Sequence, residues 1–426
     1  MFKVLVLAYY YPPMGLSGVQ RTLKFTKYMP QFNWEPTVIT AGNVAYYAHD
    51  FALLKEAEDA GVKIIRTESL DPNSIIGKKY GTVNMPKEFV RKIYSNFSKS
   101  FFIPDNKKSW AKRAYEKARE LLKQEHFDII FVTIPPYSSF VYAAKLKEEF
   151  QIPLFVDYRD LWFGNHFAFY PTPWHKLKHK KLEYNALHKS NKIIVINRKI
   201  KEKLLTTYNF LNFNEIVIIP HGYDPADFEI EYPKHNLAGK IKLTYSGIFY
   251  ESITPLYLLK AFKELSIERP DITAKYQLEF VGLLRKENKK IVAQLGLLDF
   301  INEVGYIEHI EAVKRIRQSD VLWMMIGNSP NSDTISTSKL FEYFGSRKPI
   351  LGCVPDGAAK VALEEYGASF ITAPDDIPDI KKKLIEIHDL FIKNELPKPN
   401  EEFIEKHNRI KLTEQLITQF QFFLKT

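Results

Sequence analysis

Asp333-Thr-Ile-Ser-Thr-Ser-Lys-Leu-Phe-Glu-Tyr-Phe-Gly-Ser-Arg-Lys-Pro-Ile350 reads as a helix that faces a ligand, followed by a buried strand. Ser336, Thr337 and Ser338 are cap-forming residues, and Leu340, Tyr343 and Phe344 recur on one helical face. Gly345, with Pro349 and an apolar run behind it, closes the pattern. A helix is predicted from about Thr337 to Gly345.

The start of a helix presents unpaired N–H groups and partial positive charge. Lys339 in the first turn is therefore repelled unless an anion sits there, and a phosphate is the anion that helix starts commonly hold. Glu342 lies off the apolar face and offers two acceptor oxygens that suit the paired hydroxyls of a ribose. Together they describe a nucleotide. An ordinary surface helix with a solvated lysine and glutamate is the simpler account of this stretch alone, so the remainder of the chain has to decide.

A chain of 426 residues, 45% apolar and 14% aromatic, is long enough for two packed cores. Phe2-Lys-Val-Leu-Val-Leu-Ala8 is too short an apolar run for a signal-peptide core and reads as a first strand. No apolar run approaches bilayer length, and the lone Cys353 rules out an internal disulfide framework or a cysteine-based zinc site. A cytoplasmic location is expected. The net charge of +10 suggests an anionic partner: nucleotide, phospholipid surface or nucleic acid.

Short apolar runs alternate with helical patterns at Phe2–Ala8, Pro36–Thr40, Val62–Thr67, Phe127–Thr133, Pro153–Tyr158, Asn191–Asn197 and Glu215–Pro220. After a polar interval at Asp227–Lys240 they resume at Lys240–Gly247, Tyr276–Gly282, Ile301–Ile307, Ser319–Ile326, Lys348–Val354 and Ala368–Thr372. This is α/β alternation, which predicts two mainly parallel sheets. The domains are set at 1–228, 229–398 and a C-terminal helical segment, 399–426, packing back on the first. If the two face each other, the carboxyl ends of both sheets flank one cleft.

A basic, aromatic region holds Lys87, Phe89, Arg91, Lys92, Tyr94, Phe97, Lys99, Phe101, Phe102, Lys107, Lys108, Trp110, Lys112 and Arg113. A second cluster is Trp174-His-Lys-Leu-Lys-His-Lys-Lys181. Such mixtures suit an anionic membrane surface, or single-stranded nucleic acid, or a merely solvated helix face. Nucleic acid is the least favoured, because these residues lie away from the strand ends where the remaining motifs fall.

Three motifs sit at strand ends. Tyr11-Pro-Pro-Met-Gly-Leu-Ser-Gly-Val-Gln-Arg21 leads into a helix, and Gly15 and Gly18 would let backbone approach a phosphate or sugar, although the spacing is not a dinucleotide fingerprint and a plain tight turn explains it nearly as well. Val156-Asp-Tyr-Arg-Asp-Leu-Trp162 places Asp157, Arg159 and Asp160 at a strand's carboxyl end, either for substrate or as a structural Arg–Asp pair. Ile219-Pro-His-Gly-Tyr-Asp-Pro-Ala-Asp-Phe228 has the turn chemistry of a hinge.

These motifs, with Tyr245-Ser-Gly-Ile-Phe-Tyr, Phe280-Val-Gly and Thr337-Ser-Lys-Leu-Phe-Glu-Tyr, resemble in order and spacing the retaining glycosyltransferases of family 4. The bacterial branch that builds cell-surface polysaccharide is the nearest in pattern, and the likeness runs nearly end to end. It implies the GT-B fold, two Rossmann-like doubly wound domains facing a central cleft. It also implies a nucleotide-sugar donor, UDP-sugar or GDP-sugar, held mostly by the second domain, and a glycan or lipid-linked acceptor held by the first. Glu342 matches the family's ribose-binding glutamate. Gly247, Ser338 and Lys339 would line the diphosphate, Gly15 and Gly18 would approach the donor from the opposite domain, and Gly305-Tyr306-Ile307 would lie near the base.

The pattern departs from the family in three places. Thr334 stands where a first glutamate would touch the transferred sugar. Tyr250-Glu-Ser-Ile-Thr254 replaces the usual Arg and Lys, so Lys339, Arg285 or Lys286 would neutralise the diphosphate. Thr133-Ile-Pro-Pro136 stands where a histidine is common.

The expected chemistry is transfer with Lys339 and the helix amides stabilising charge on the leaving diphosphate, and Arg159 and Asp160 contacting the acceptor. No Asp-x-Asp motif is present, so neither metal nor other cofactor is expected. A peripheral contact with the inner face of the membrane is expected, and no nucleic-acid partner. The alternatives are a nucleotide-sugar epimerase of the same fold and a catalytically degenerate nucleotide-sugar-binding module.

Overall fold

A computed structural model describes residues 1–42, 44–69, 88–165, 168–229 and 239–425. Two compact units divide the chain, Met1–His221 with Arg409–Thr426, and Gly222–Asn408.

The first unit is built on a seven-stranded sheet of β1 (Phe2–Leu7), β2 (Trp34–Ala41), β3 (Lys63–Thr67), β4 (Ile129–Ile134), β5 (Leu154–Tyr158), β6 (Lys192–Val195) and β7 (Ile216–Ile218), in the order β3-β2-β1-β4-β5-β6-β7. The second holds a six-stranded sheet of β8 (Ile241–Ser246), β9 (Tyr276–Val281), β10 (Ile301–Gly305), β11 (Val321–Met325), β12 (Ile350–Cys353) and β13 (Ser369–Thr372), in the order β10-β9-β8-β11-β12-β13. The pairings within both sheets are parallel. Both orders reverse once, between β1 and β4 and between β8 and β11, as in a doubly wound fold.

Each apolar run of the sequence is a strand because both faces of each sheet are covered. In β1, Leu5 and Leu7 join one core while Val4 and Val6 join another. In β11, Val321, Trp323 and Met325 pack to one side and Leu322 and Met324 to the other. A strand buried on both faces carries no alternation, and continuous Val, Ile and Leu follow. Among the described residues no helix is long and apolar enough to cross a membrane.

The unit boundaries differ from 228 and 399. The chain leaves the first unit at His221 because Tyr223 already pairs with the second: its N–H donates to the His407 carbonyl at 3.0 Å and its hydroxyl to Glu405 at 3.1 Å. The helix Glu401–Lys406 stays there too, since Phe403 packs against Phe344 at 5.1 Å and against Tyr366. Within the polar interval of the sequence, residues 230–238 lie outside the described residues.

One helix, Arg409–Lys425, returns to the first unit. Its Leu412, Leu416 and Phe420 recur every fourth residue on one face, and the Phe420 ring meets Trp34, Phe131 and Phe155 at 5.1, 5.7 and 4.8 Å. Phe420→Ala removes a ring that packs against three strands, β2, β4 and β5. It should destabilise the first unit by about 3–5 kcal/mol in denaturant unfolding, while Leu424→Ala, at a more exposed position of the same helix, should change it by less than about 0.5 kcal/mol.

Candidate functional site

In the second unit the carboxyl ends of three adjacent strands finish in glycine. Gly247, Gly282 and Gly305 follow or end β8, β9 and β10, with φ of +141°, +120° and +80°. Their backbones step across the sheet edge: Gly247 N–H donates to the Val281 carbonyl at 2.7 Å, and Gly282 N–H to the Gly305 carbonyl at 2.8 Å. A Cβ on Gly282 would stand 2.3 Å from the Gly247 carbonyl oxygen. Only glycine combines these φ values with this approach, and the result is a floor of bare backbone beside the β8/β11 reversal, the place where doubly wound folds hold ligands.

The helix Ser338–Ser346 joins β11 to β12 and brings its first turn to that floor. Its cap position is Thr337, one of the three cap-forming residues of the sequence, but no side chain caps it, and the buried Thr337 hydroxyl has no hydrogen-bond partner among the described residues. Lys339 extends toward β8. Its ammonium donates to the Tyr245 hydroxyl at 3.0 Å, lies 4.3 Å from the centre of that ring, and occupies the space a side chain at Gly247 would take, 2.2 Å from the ideal Cβ position. Tyr245 is fixed by stacking on Phe249 at 4.1 Å. Burial pushes the Lys339 ammonium down to about 8, with Glu342 opposing the shift. The lysine is thus a cation held partly out of water over uncapped helix amides and a glycine floor, a setting that favours an anion.

Glu342 is half-buried one turn on. His309, at the start of the helix His309–Arg317, lies between two carboxylates, 3.8 Å from Glu342 and 3.6 Å from Asp227. Neither His309 nor Asp227 was singled out from the sequence, and nothing in their spacing marks them, because they meet Glu342 only through the tertiary fold. Ser338 is buried, and Tyr306 and Ile307 are half-buried just after Gly305. Arg285 is buried at the head of the helix Lys286–Gln294, 3.9 Å from Glu287, and Lys286 is exposed.

Thr334 is buried in the turn Ser332–Thr334, where its hydroxyl donates to the Asn331 carbonyl at 2.8 Å. The end of the helix corrects the sequence reading. Gly345 lies inside it, and the left-handed closing residue is Arg347, with φ of 59°. Gly345 serves contact instead: a Cβ there would come within 2.7 Å of Tyr223.

In the first unit, Gly15 donates to the Ala48 carbonyl at 2.9 Å and Gly18 opens the helix Ser17–Tyr28. Arg159 is buried, and its guanidinium donates to the carbonyls of Gly18 at 2.6 Å and of Ile134 and Pro135 at 3.3 Å, so it ties the glycine loop to the end of β4. Asp157 forms a fully buried pair with Arg21, closest approach 2.8 Å, and accepts from Thr133 at 3.2 Å. Arg21 also donates to the Pro220 and Ile219 carbonyls at 2.6 and 2.9 Å. Burial, and then the charges of Arg21, Arg409 and Arg159, hold His221 well below its ordinary range.

Asp160 is half-buried at the end of β5. The loop that follows it is anchored by buried Glu183, which accepts from the Tyr158 hydroxyl, from the Tyr208 hydroxyl at 2.8 Å and from Phe163 N–H at 2.8 Å, and which burial pushes up to about 7. Among the described residues no group of three potential metal ligands is assembled.

Residues 80–227 match the model of the family described as Glycosyltransferase Family 4. No curated protein matches the chain. Among solved structures, the chain is similar along its whole length to a glycosyltransferase from Rickettsia africae ESF-5, at 15% identity and TM-score 0.67, covering 100% of this chain and 99% of that one. A sucrose-phosphate synthase from Thermosynechococcus elongatus gives 12% and 0.68, covering 100% of both chains. Anabaena Alr3699/HepE in complex with UDP gives 13% and 0.63, covering 99% of this chain and 100% of that one. At these identities the likeness is one of fold: two Rossmann-type sheets arranged along the chain as in GT-B glycosyltransferases.

The glycine floor can be tested position by position. Gly282→Ala sets a methyl against backbone that cannot yield, so unfolding should show a loss of roughly 1–3 kcal/mol beyond the conformational cost. Gly305→Ala meets nothing within 4 Å and should lose only the cost of its positive φ, about 1 kcal/mol.

Proposed function

We propose that the chain is a glycosyltransferase that moves a sugar from a UDP- or GDP-sugar to a glycan or lipid-linked acceptor, with retention of configuration, in the synthesis of bacterial surface polysaccharide. The observation that carries this reading is Lys339, whose ammonium lies over the Gly247 backbone at the uncapped start of the Ser338–Ser346 helix, with Glu342 one turn on. A diphosphate seated there meets the cation and the helix amides together. A ribose then falls to Glu342, and the base to Tyr306 and Ile307. The match of residues 80–227 to Glycosyltransferase Family 4 and the UDP held by a neighbour of the same fold support the assignment.

In the proposed reaction the acceptor hydroxyl attacks the anomeric carbon from the leaving-group side. The bond from that carbon to the diphosphate breaks, and the hydroxyl proton passes to the departing phosphate oxygen. No protein base is then required. The work of the protein is to stabilise the negative charge that grows on the diphosphate, and Lys339 with the helix amides supplies it. Asp160 and the loop behind it present the acceptor. Arg159 holds the glycine loop at Gly18 to the end of β4, and Glu183 anchors the loop behind Asp160.

Calorimetry with UDP, GDP, ADP, CMP and dTDP and their sugars, followed by product analysis, tests the reading. One nucleotide should bind, and Glu342→Ala should weaken it by about 1.5–3 kcal/mol with an unchanged melting curve. A sugar released isomerised would make the chain an epimerase, and binding without turnover a nucleotide-sugar-binding module.

Lys339→Met should lower kcat by roughly a hundred- to a thousandfold. The pH dependence has a definite sign. Because the free ammonium titrates near 8 and a bound diphosphate favours its charged form, binding above that pH takes up a proton. Affinity should fall as pH rises past about 8 in the wild type, and this slope should vanish in Lys339→Met.

A further inference from the structure

The first unit carries an exposed apolar surface that its own core does not use. In the helix Glu88–Phe101, Ile93, Phe97 and Phe101 recur every fourth residue and are 53%, 64% and 68% exposed, with Phe102 exposed just beyond. The rings of Phe97 and Phe101 lie 4.6 Å apart, which makes the stripe continuous. The helix Pro173–Lys189 touches its end: His175 Nε2 lies 3.1 Å from the Ser100 carbonyl, and close to His175 in the same helix Trp174 and Leu177 are 59% and 67% exposed. Single exposed apolar residues are ordinary; this many large ones on two touching helices require an apolar environment.

Along the second helix the charge beside this surface is of one sign. Lys176, Lys178, Lys180 and Lys181 are exposed, and no acidic residue occurs between Pro173 and Leu182. Lysines reaching past aromatics suit a layer whose outside is anionic and whose inside is hydrocarbon. A second copy of the chain would instead bring lysine against lysine.

We infer that these two helices dock on an anionic lipid bilayer, with Phe97, Phe101 and Trp174 at the boundary of headgroups and acyl chains and the lysines on lipid phosphates. Lys107, Trp110, Lys112 and Arg113, in the same basic, aromatic region of the sequence, have partners within the protein. Trp110 in that segment is fully buried, Lys107 rests over the Tyr9 ring at 4.8 Å, Lys112 lies 3.8 Å from Glu116, and Arg113 pairs with Glu68 at 2.7 Å. Lys87 lies outside the described residues.

The inference does not depend on sugar transfer, and its test uses none. The full chain is sedimented with vesicles of phosphatidylcholine, with and without phosphatidylglycerol, at low and high salt, and its mass in solution is followed by light scattering. Wild type should bind the anionic vesicles and release them at high salt. The double variant Phe97→Ser, Phe101→Ser should partition about tenfold less or lower, and Lys176→Glu with Lys180→Glu should lose about tenfold on anionic vesicles, each with an unchanged melting curve. Wild type left in the supernatant overturns the inference, as do variants that bind like wild type or equal binding to phosphatidylcholine alone. A wild-type dimer that the phenylalanine variants dissolve, without vesicle binding, overturns it in favour of a second copy.

Discussion

The close approach at Gly247 and Gly282 is the constraint on which the second unit's candidate site rests. A side chain at Gly247 would occupy the place of the Lys339 ammonium, and one at Gly282 would collide with the Gly247 carbonyl. Without side chains at these strand ends, one helix start, one lysine and bare peptide groups can converge on the same small volume. The convergence depends in turn on Tyr245 and Tyr343. Tyr245 takes a hydrogen bond from Lys339, and Tyr343, on the buried face of the same helix, accepts from Ser246 N–H at 2.8 Å. The helix is therefore tied to β8 at the strand end it serves.

The first unit solves a different problem, which is to hold loops at a sheet end without giving up its charges to solvent. Arg21 spans Asp157 and two carbonyls beyond β7, and Arg159 spans three carbonyls around Gly18. Each guanidinium has enough donors to satisfy several acceptors at once, which is why arginine and not lysine occupies both places. The motif Asp157-Tyr-Arg-Asp160 is consequently divided: Asp157 and Arg159 face inward to the frame, Tyr158 donates to buried Glu183, and Asp160 stays at the edge. A strand end alternates its faces, so adjacent charged residues in one motif are sent to different tasks.

The strands were readable from sequence because burial on both faces leaves a continuous apolar run, and the start of the helix at Ser338 because capping residues precede an amphipathic turn. What escaped reading depended on partners distant in sequence. Gly345 resembled a helix terminator, but Tyr223 fixes it inside the helix and Arg347 takes the left-handed residue. The unit boundary resembled the turn near Phe228, but the bond between Tyr223 and His407 recruits the preceding segment to the second unit. Asp227 and His309 meet Glu342 only once the fold is closed. The basic aromatic region showed its composition but not its division, in which Trp110 enters the core while Phe97 and Phe101 stay outside.

The state of Lys339 links site and stability through one sign. Its ammonium titrates lower in the folded chain than in the unfolded one, so its burial opposes folding below about pH 8, and that opposition is relieved as pH rises toward the lysine's ordinary range. An anion on the same floor would relieve it at neutral pH without removing the proton. The desolvation that disfavours the charged lysine would also strengthen its attraction to an anion, because both follow from the same exclusion of water. A solvated lysine at this helix start would cost folding less and would hold an anion less tightly. Its position over Gly247, next to Tyr245 and uncapped amides, suits an anion.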